Sequence, residues 1–260
     1  MRRLLLTLRY DGTAYHGWQV QPNAVTVQAV LQDAIAGVTG VRSGVIGCSR
    51  TDAGVHADMF CCTFDTESTI PAERFPAALC GHLPEDIAVY ACREVAADFH
   101  PRYAARGKRY CYYIWNTPQR NPFCDRYALR RAGRLDETAL NAAAQQFVGT
   151  HDFSAFCAAD ADTTDAVRPV YRCAVTREGD LVTFTVEADG FLYNMVRIMV
   201  GTLLDIAAGR FPADTVTAAL RTGDRTLAGA TAPAKGLFLK EVFYEKEGIA
   251  DGKASPHTCR

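Results

Sequence analysis

The chain has 260 residues, 48% of them hydrophobic, enough for one large domain or two small ones with a substantial core. Its net charge of -1 does not by itself mark a nucleic-acid binder. No stretch approaches the run of about 20 apolar residues that spans a membrane, and the opening run Met1–Leu8, cut off by Arg9 and Asp11, is too short for a signal peptide. Ten cysteines occur with no CxxC pair and no Cys–His cluster at zinc spacing, so they read as buried small hydrophobes in a reducing compartment.

In chain order, Arg2–Tyr10 predicts a strand, ended by the turn Asp11-Gly12-Thr13. Thr26 is placed to cap a helix running to about Val38, with Val27, Val30, Leu31, Ala34 and Ile35 on one face. Strands follow near 43–48 and 57–65. Pro71 opens a second helix, carrying Phe75 and Leu79, where its missing N–H costs little. Gly81-His82-Leu83-Pro84 breaks that helix before a strand from Ile87 to Val95. The order strand, helix, strand, strand, helix, strand suits a split βαβ unit.

A second unit begins with a strand from Arg109 through Trp115, then a helix from about Asp136 to Phe147. Strands are predicted at 170–177 and 181–187. A long helix is predicted from Leu192 to Ala208, with Tyr193, Arg197 and Gly201 in line along it. A helix near 213–220 and a strand from Leu237 to Tyr244 complete the plan. The element order suggests a duplication, with no sequence repeat to match. The division is an α/β half at 1–105, a second at 106–246, and a polar tail at 247–260 that reads as flexible.

Two features point to chemistry. The polar run Gly47-Cys48-Ser49-Arg50-Thr51-Asp52-Ala53-Gly54-Val55-His56-Ala57 lies between two apolar stretches, so it is a tight loop between strands. Arg50 sits two residues from Asp52. A guanidinium beside a carboxylate favours the ionised form, which suits a nucleophile and equally suits a pair that braces a turn. The second feature is a basic stretch, Arg102 to Arg134, with nine Lys or Arg and one acid, Asp125. Tyrosines and other aromatics interleave it, as a surface for phosphates and stacked bases requires; a solvated face over core aromatics is the alternative.

The loop resembles the catalytic motif of the tRNA pseudouridine synthase A family, Gly-Ala-Gly-Arg-Thr-Asp-Ala-Gly-Val-His, except that Cys48 and Ser49 replace Ala and Gly. Neither of these two is expected to carry chemistry, although a side chain at 49 excludes any backbone geometry that only glycine tolerates. Tyr10-Asp11-Gly12-Thr13-Ala14-Tyr15-His16-Gly17-Trp18-Gln19 with Gln21 is similar to the family's amino-terminal signature. Lys108-Arg109-Tyr110-Cys111-Tyr112, Gly190 through Arg197, and Leu227 through Leu239 resemble its later motifs, so the likeness runs from Leu6 to Tyr244.

The resemblance implies an α+β fold, the pseudouridine synthase fold, in which two ferredoxin-like halves form a continuous, mainly antiparallel sheet with a central catalytic cleft. It implies isomerisation of uridine to pseudouridine at positions 38, 39 and 40 of the tRNA anticodon arm, with no cofactor and no metal. Asp52 is the implied nucleophile, attacking the ribose or assisting departure of the base. Tyr110 would stack on the base and help remove the C5 proton. Arg197 would pair with Asp52, with Asp205 as its structural alternative. Arg50 would fill the gap left by the everted nucleotide or hold the displaced backbone. Substrate contacts are expected from Gln19, Lys108, Arg109, Lys235 and Leu237, the last being equally a core residue, and the basic stretch should flank the cleft. The implied partners are tRNA and a second copy of the chain, with no DNA and no membrane, in the cytoplasm.

Two rival readings remain. Asp52, His56 and Asp58, completed by His16, His100 or His151, offer ligands for a metal-dependent hydrolase, although their spacing matches no specific pattern; His56 otherwise braces the loop. The other rival is a non-catalytic RNA-binding protein of the same fold.

Overall fold

The computed structural model describes residues 1–158 and 165–244; the expected flexible tail at 247–260 lies outside them. Apolar alternation and helical periodicity lay down the following elements: β1 (Arg2–Tyr10), α1 (Val27–Thr39), β2 (Val45–Gly47), β3 (His56–Thr66), α2 (Phe75–Cys80), β4 (Ile87–Val95), β5 (Gly107–Trp115), β6 (Leu129–Arg130), α3 (Glu137–Gln145), β7 (Gly149–Asp152), β8 (Val167–Glu178), β9 (Leu181–Ala188), α4 (Met195–Ala207), α5 (Thr215–Thr222) and β10 (Leu237–Phe243). The ten strands make one sheet in the order β4-β1-β3-β10-β5-β9-β8-β7, with β2 beside β3 and β6 beside β5. It is a mixed α+β architecture with a mainly antiparallel sheet.

The two halves repeat one plan. In the first, β1-α1-β2-β3-α2-β4 folds with strand order β4-β1-β3-β2; in the second, β5-α3-β8-β9-α4-β10 folds with the corresponding order β10-β5-β9-β8. This is the ferredoxin-like arrangement twice. The proposed boundary at 105/106 falls just before β5. The seam is β10, which runs antiparallel to β5 and pairs in parallel with β3 at Phe238↔His56 and Leu239↔Ala57. Strand β2 takes the same edge of β3 further along, at Cys62 to Phe64. The loop carrying Asp52 joins β2 to β3 and therefore emerges where the two halves meet.

The core is one contiguous apolar cluster. Leu4, Leu6 and Leu8 of β1 are wholly buried with Leu31 and Ile35 of α1, each such side chain contributing about 1.5–3 kcal/mol by leaving water. Phe75 of α2 meets Phe64 of β3 edge-on at 5.6 Å. In the second half, Ile114, Leu140, Phe184 and Val200 converge from β5, α3, β9 and α4. Five cysteines, 48, 61, 62, 111 and 173, are buried free thiols, behaving as small hydrophobes.

Several boundaries differ from expectation for local reasons. Pro71 precedes a short 3-10 turn, Ala72–Arg74, and it is Pro76 that occupies the first turn of α2. Strand β5 starts two residues before Arg109 because Gly107 and Lys108 pair with β10 and β9. Helix α4 starts at Met195, not Leu192, because Asn194 sits in the left-handed region at φ 60° and cannot continue a helix. Tyr193 therefore lies outside the line of Arg197 and Gly201. From Met195 to Leu204 every residue of α4 is buried except the half-buried Arg197, so this helix is embedded rather than amphipathic. At Gly201 an added Cβ would stand 1.7 Å from the carbonyl oxygen of Ala230; the glycine lets the 228–233 segment lie directly on the helix.

Candidate active site

The loop between β2 and β3 is held from below by the amino-terminal signature. Trp18 N–H donates to the Thr51 carbonyl at 3.1 Å, Gly54 N–H donates to the Tyr15 carbonyl at 3.2 Å, and the Tyr10 and Thr51 hydroxyls are 2.7 Å apart. Trp18 is buried and stacks on Phe60 at 4.0 Å. Gly17, at φ +86°, has no room for a side chain, since a Cβ would meet the Thr51 carbonyl oxygen at 2.5 Å. The signature is thus scaffolding for the loop; of its polar residues, His16, Gln19 and Gln21 face the cleft.

His56 is fully buried at the start of β3. Its Nδ1 accepts from Gly12 N–H at 3.0 Å and stands 3.1 Å from Asp11, and its ring stacks on Phe238 at 4.5 Å. Burial pulls its pKa below the ordinary histidine value, against the opposing pull of Asp11. Asp58 is engaged by Lys240, while Asp52 turns toward Arg197. The residues of the metal reading thus have three separate sets of partners, and among the described residues no group of three or more His, Cys, Asp or Glu is placed to hold a metal ion.

Asp52 and Arg197, 145 residues apart, meet at 3.0 Å between Oδ2 and Nη1, with side chains only 19% and 18% exposed. Arg197 is fixed from two further directions, Nε donating to the Ala232 carbonyl at 2.7 Å and Nη1 to Asn194 Oδ1 at 2.8 Å. Asp205, its alternative partner, is taken by Arg210. Burial pushes the Asp52 carboxyl above the ordinary carboxylate range, and Arg197 opposes that rise without cancelling it. This differs from the expectation that a neighbouring arginine fixes the balance: desolvation is the larger influence. Arg50 makes no pair with Asp52; it is exposed along the cleft.

The cleft, about 760 Å³, lies between the halves. Asp52, Arg50, Gln19, Lys108, Tyr110 and Leu237 all line it. Tyr110 is 5% exposed, its ring edge-on to Phe191 at 5.0 Å and its hydroxyl 3.1 Å from Ser49 Oγ. Burial raises its pKa, partly offset by the Ser49 hydrogen bond. Lys108 lies two residues earlier on the same face of β5, 6% exposed, with its pKa lowered by burial. Leu237, at the start of β10, is both buried and part of the cleft wall.

Arg109 and Lys235 are not brought to the cleft. Strand alternation sends Arg109 to the opposite face of β5 from Tyr110, where Glu187 and Glu241 accept from it at 2.8 and 2.7 Å. Lys235 donates to the Asp125 carbonyl at 2.7 Å. Of the basic stretch, Arg102 and Lys108 line the cleft and the remaining cations do not. The sequence reading missed Asn194 and the Ser49–Tyr110 bond. It also missed Arg168, Asp189 and Phe191 as lining residues. Asn is among the few residues that enter the left-handed region readily, which was the available signal for Asn194; Arg168 offered none.

The sequence model of the tRNA pseudouridine synthase family matches residues 7–104 and 143–245. This chain belongs to that family. A tRNA pseudouridine synthase A from Thermoanaerobacter sp. (strain X514) is 46% identical over 244 residues, covering 94% of this chain and 100% of its own. Its namesake from Caldicellulosiruptor saccharolyticus is 43% identical over the same coverage. The one from Exiguobacterium sibiricum is 44% identical over 251 residues, 96% of this chain and 100% of its own. The Asp52 loop sits at the seam of the two halves. No helix among the described residues is long and apolar enough to cross a membrane.

Proposed function

We propose that this chain isomerises uridine to pseudouridine in tRNA, at positions 38, 39 and 40 of the anticodon arm. The observation that carries the reading is the meeting of Asp52 and Tyr110 in one cleft, with Arg197 paired to Asp52, from elements far apart in sequence. In the reaction the C1′–N1 bond breaks, the C1′–C5 bond forms, and the hydrogen lost from C5 is balanced by the one gained at N1. No atoms are added and no electrons leave. Asp52 Oδ1 accepts no hydrogen bond within the described protein and is the oxygen available to the ribose, whether it attacks C1′ or assists departure of the base. Arg197 aims the carboxylate through Oδ2, which is preorganisation. Tyr110, against Phe191, forms a wall on which a detached uracil can stack and turn. Leu237 closes the pocket against water.

The target nucleotide must leave its stack to reach this depth. Arg50, exposed beside the loop, is the group for the vacated position or the displaced backbone. Lys108, Arg102 and Arg168 supply positive charge along the cleft and are the phosphate contacts of this reading. The reading includes a homodimer with one tRNA across both subunits, acting in the cytoplasm. Its test is a pseudouridine map of total tRNA from cells with and without the gene. Loss confined to positions 38–40 supports it. Loss at position 55, or in ribosomal RNA with an intact anticodon arm, refutes the site, and an unchanged map refutes the activity.

A further inference from the structure

Ser49 stands at a loop position where the resemblance led us to expect no chemistry. Its backbone is not among those with positive φ, so the site does not demand glycine and the side chain is accommodated without strain. The hydroxyl it adds is 3.1 Å from that of Tyr110, and among the described residues it is the hydrogen-bond partner of that phenol. Besides burial and the Ser49 bond, the Cys48 thiol and the Asp52 carboxylate act on the phenol, both raising its pKa. Phe191 stands edge-on to its ring, and Cys48, wholly buried, has its thiol pushed up to about 12 by burial. A buried hydroxyl with one partner has its direction set by that partner.

We infer that Ser49 is a positioning residue for Tyr110, holding the phenol oxygen against the floor of the cleft so that its remaining hydrogen-bonding capacity faces the base. The inference rests on the function proposed above. If Ser49 donates, the Tyr110 O–H is free to point at the uracil; if Tyr110 donates, a lone pair of its oxygen faces the pocket. Either way the oxygen is tied to the same loop that carries Asp52 three residues on. The nucleophile and the base-holding tyrosine are thereby registered to each other across the seam, one from the β2–β3 loop and one from β5.

The test is a double-mutant cycle of S49A and Y110F, with S49T as the conservative variant. Single-turnover pseudouridine formation and tRNA affinity are measured for each. S49A is expected to slow turnover about tenfold, as loss of one orienting hydrogen bond does, with tRNA affinity within about twofold of wild type. S49T, which keeps the hydroxyl, is expected to recover at least half the rate. In the Y110F background S49A should add nothing further, because the bond it removes is already gone. A purely structural role for Ser49 predicts the same loss in both backgrounds, and that result overturns the inference, as does an S49A enzyme at the wild-type rate. Should Y110F lack measurable turnover, the S49A and S49T pair decides: equal slowness of the two overturns it. A wild-type protein without turnover on tRNA refutes the proposed function and takes this inference with it. An active wild type with an unaffected S49A refutes the inference alone.

Discussion

The two faces of β5 carry the same kinds of residue and treat them in opposite ways. On the far face, Arg109 is bound by Glu187 and Glu241, and Tyr113 sits beside Phe238 and the ammonium of Lys240, itself paired with Asp58. Every charge there has its counter-charge in the protein. On the cleft face, Lys108 is as buried as a core residue, yet among the described residues no carboxylate is bonded to it, Asp189 acting on it only through space, and the hydrogen-bond partner of the Tyr110 phenol is the Ser49 hydroxyl. Burying an ammonium without a bonded partner is costly. A closed network accounts for itself through stability; open capacity at equal depth points to a ligand that completes it.

The sharpest way to test that contrast is to remove the group that the cleft face surrounds. D52A is expected to lower pseudouridine formation by at least about 10³-fold, since it removes the nucleophilic carboxylate of the proposed reaction. Its tRNA affinity should stay within about threefold, because phosphate contacts dominate binding. Release of tritium from C5-labelled tRNA and a filter-binding titration measure the two; turnover near wild type would remove Asp52 from the mechanism.

R197K comes next. An ammonium cannot hold Ala232, Asn194 and Asp52 in one planar fork, so kcat/KM should fall about 10²-fold. The pH profile gives the sign. In the proposed reaction Asp52 acts ionised, and burial raises its pKa, so the acid limb of the wild-type profile is expected above the ordinary carboxylate range, with activity lost as pH falls through it. Arg197 lowers that pKa; weakening its contact moves the limb to higher pH. A limb that stays put in R197K would mean that the titrating group is not Asp52.

Much of this site was legible because the motifs are local while the chemistry is not. Asp52, Arg197 and Tyr110 each sit in a short string that resembles the family, and the strand and helix periods placed β1, α1 and β4 close to where they lie. Period two alone also held the answer for the basic pair on β5: only Lys108 shares a face with Tyr110, so reading both cations as substrate contacts overlooked alternation. What stayed hidden depends on tertiary meeting. The Ser49–Tyr110 bond joins positions 61 apart and Arg177 bonds to Glu137 across 40. Lys235 lies in a 3-10 turn, Ala234–Gly236, too short to carry a period. The burial of α4 on all sides follows from the loop laid over Gly201, which no pattern within the helix announces.

The smallest expected effect on rate is the one that separates the two faces most cleanly. Among the described residues, R109M leaves Glu187, whose side chain is 2% exposed, with the more distant Arg172 at 3.6 Å, so a buried carboxylate loses its main partner. Breaking such a pair costs about 3–5 kcal/mol, and the midpoint in urea should fall accordingly, while kcat/KM per folded molecule stays within about twofold. K108M should do the reverse. Methionine fills similar space without the desolvated charge, so the thermal midpoint should hold or rise by about 2–4 °C. Meanwhile tRNA affinity weakens, and the slope of log affinity against log salt becomes shallower by about one phosphate contact. Parallel measurements on the two variants decide the comparison. If K108M destabilises the fold and leaves the salt slope unchanged, Lys108 is a core residue like its neighbour, and the open capacity of the cleft face has been misassigned to RNA.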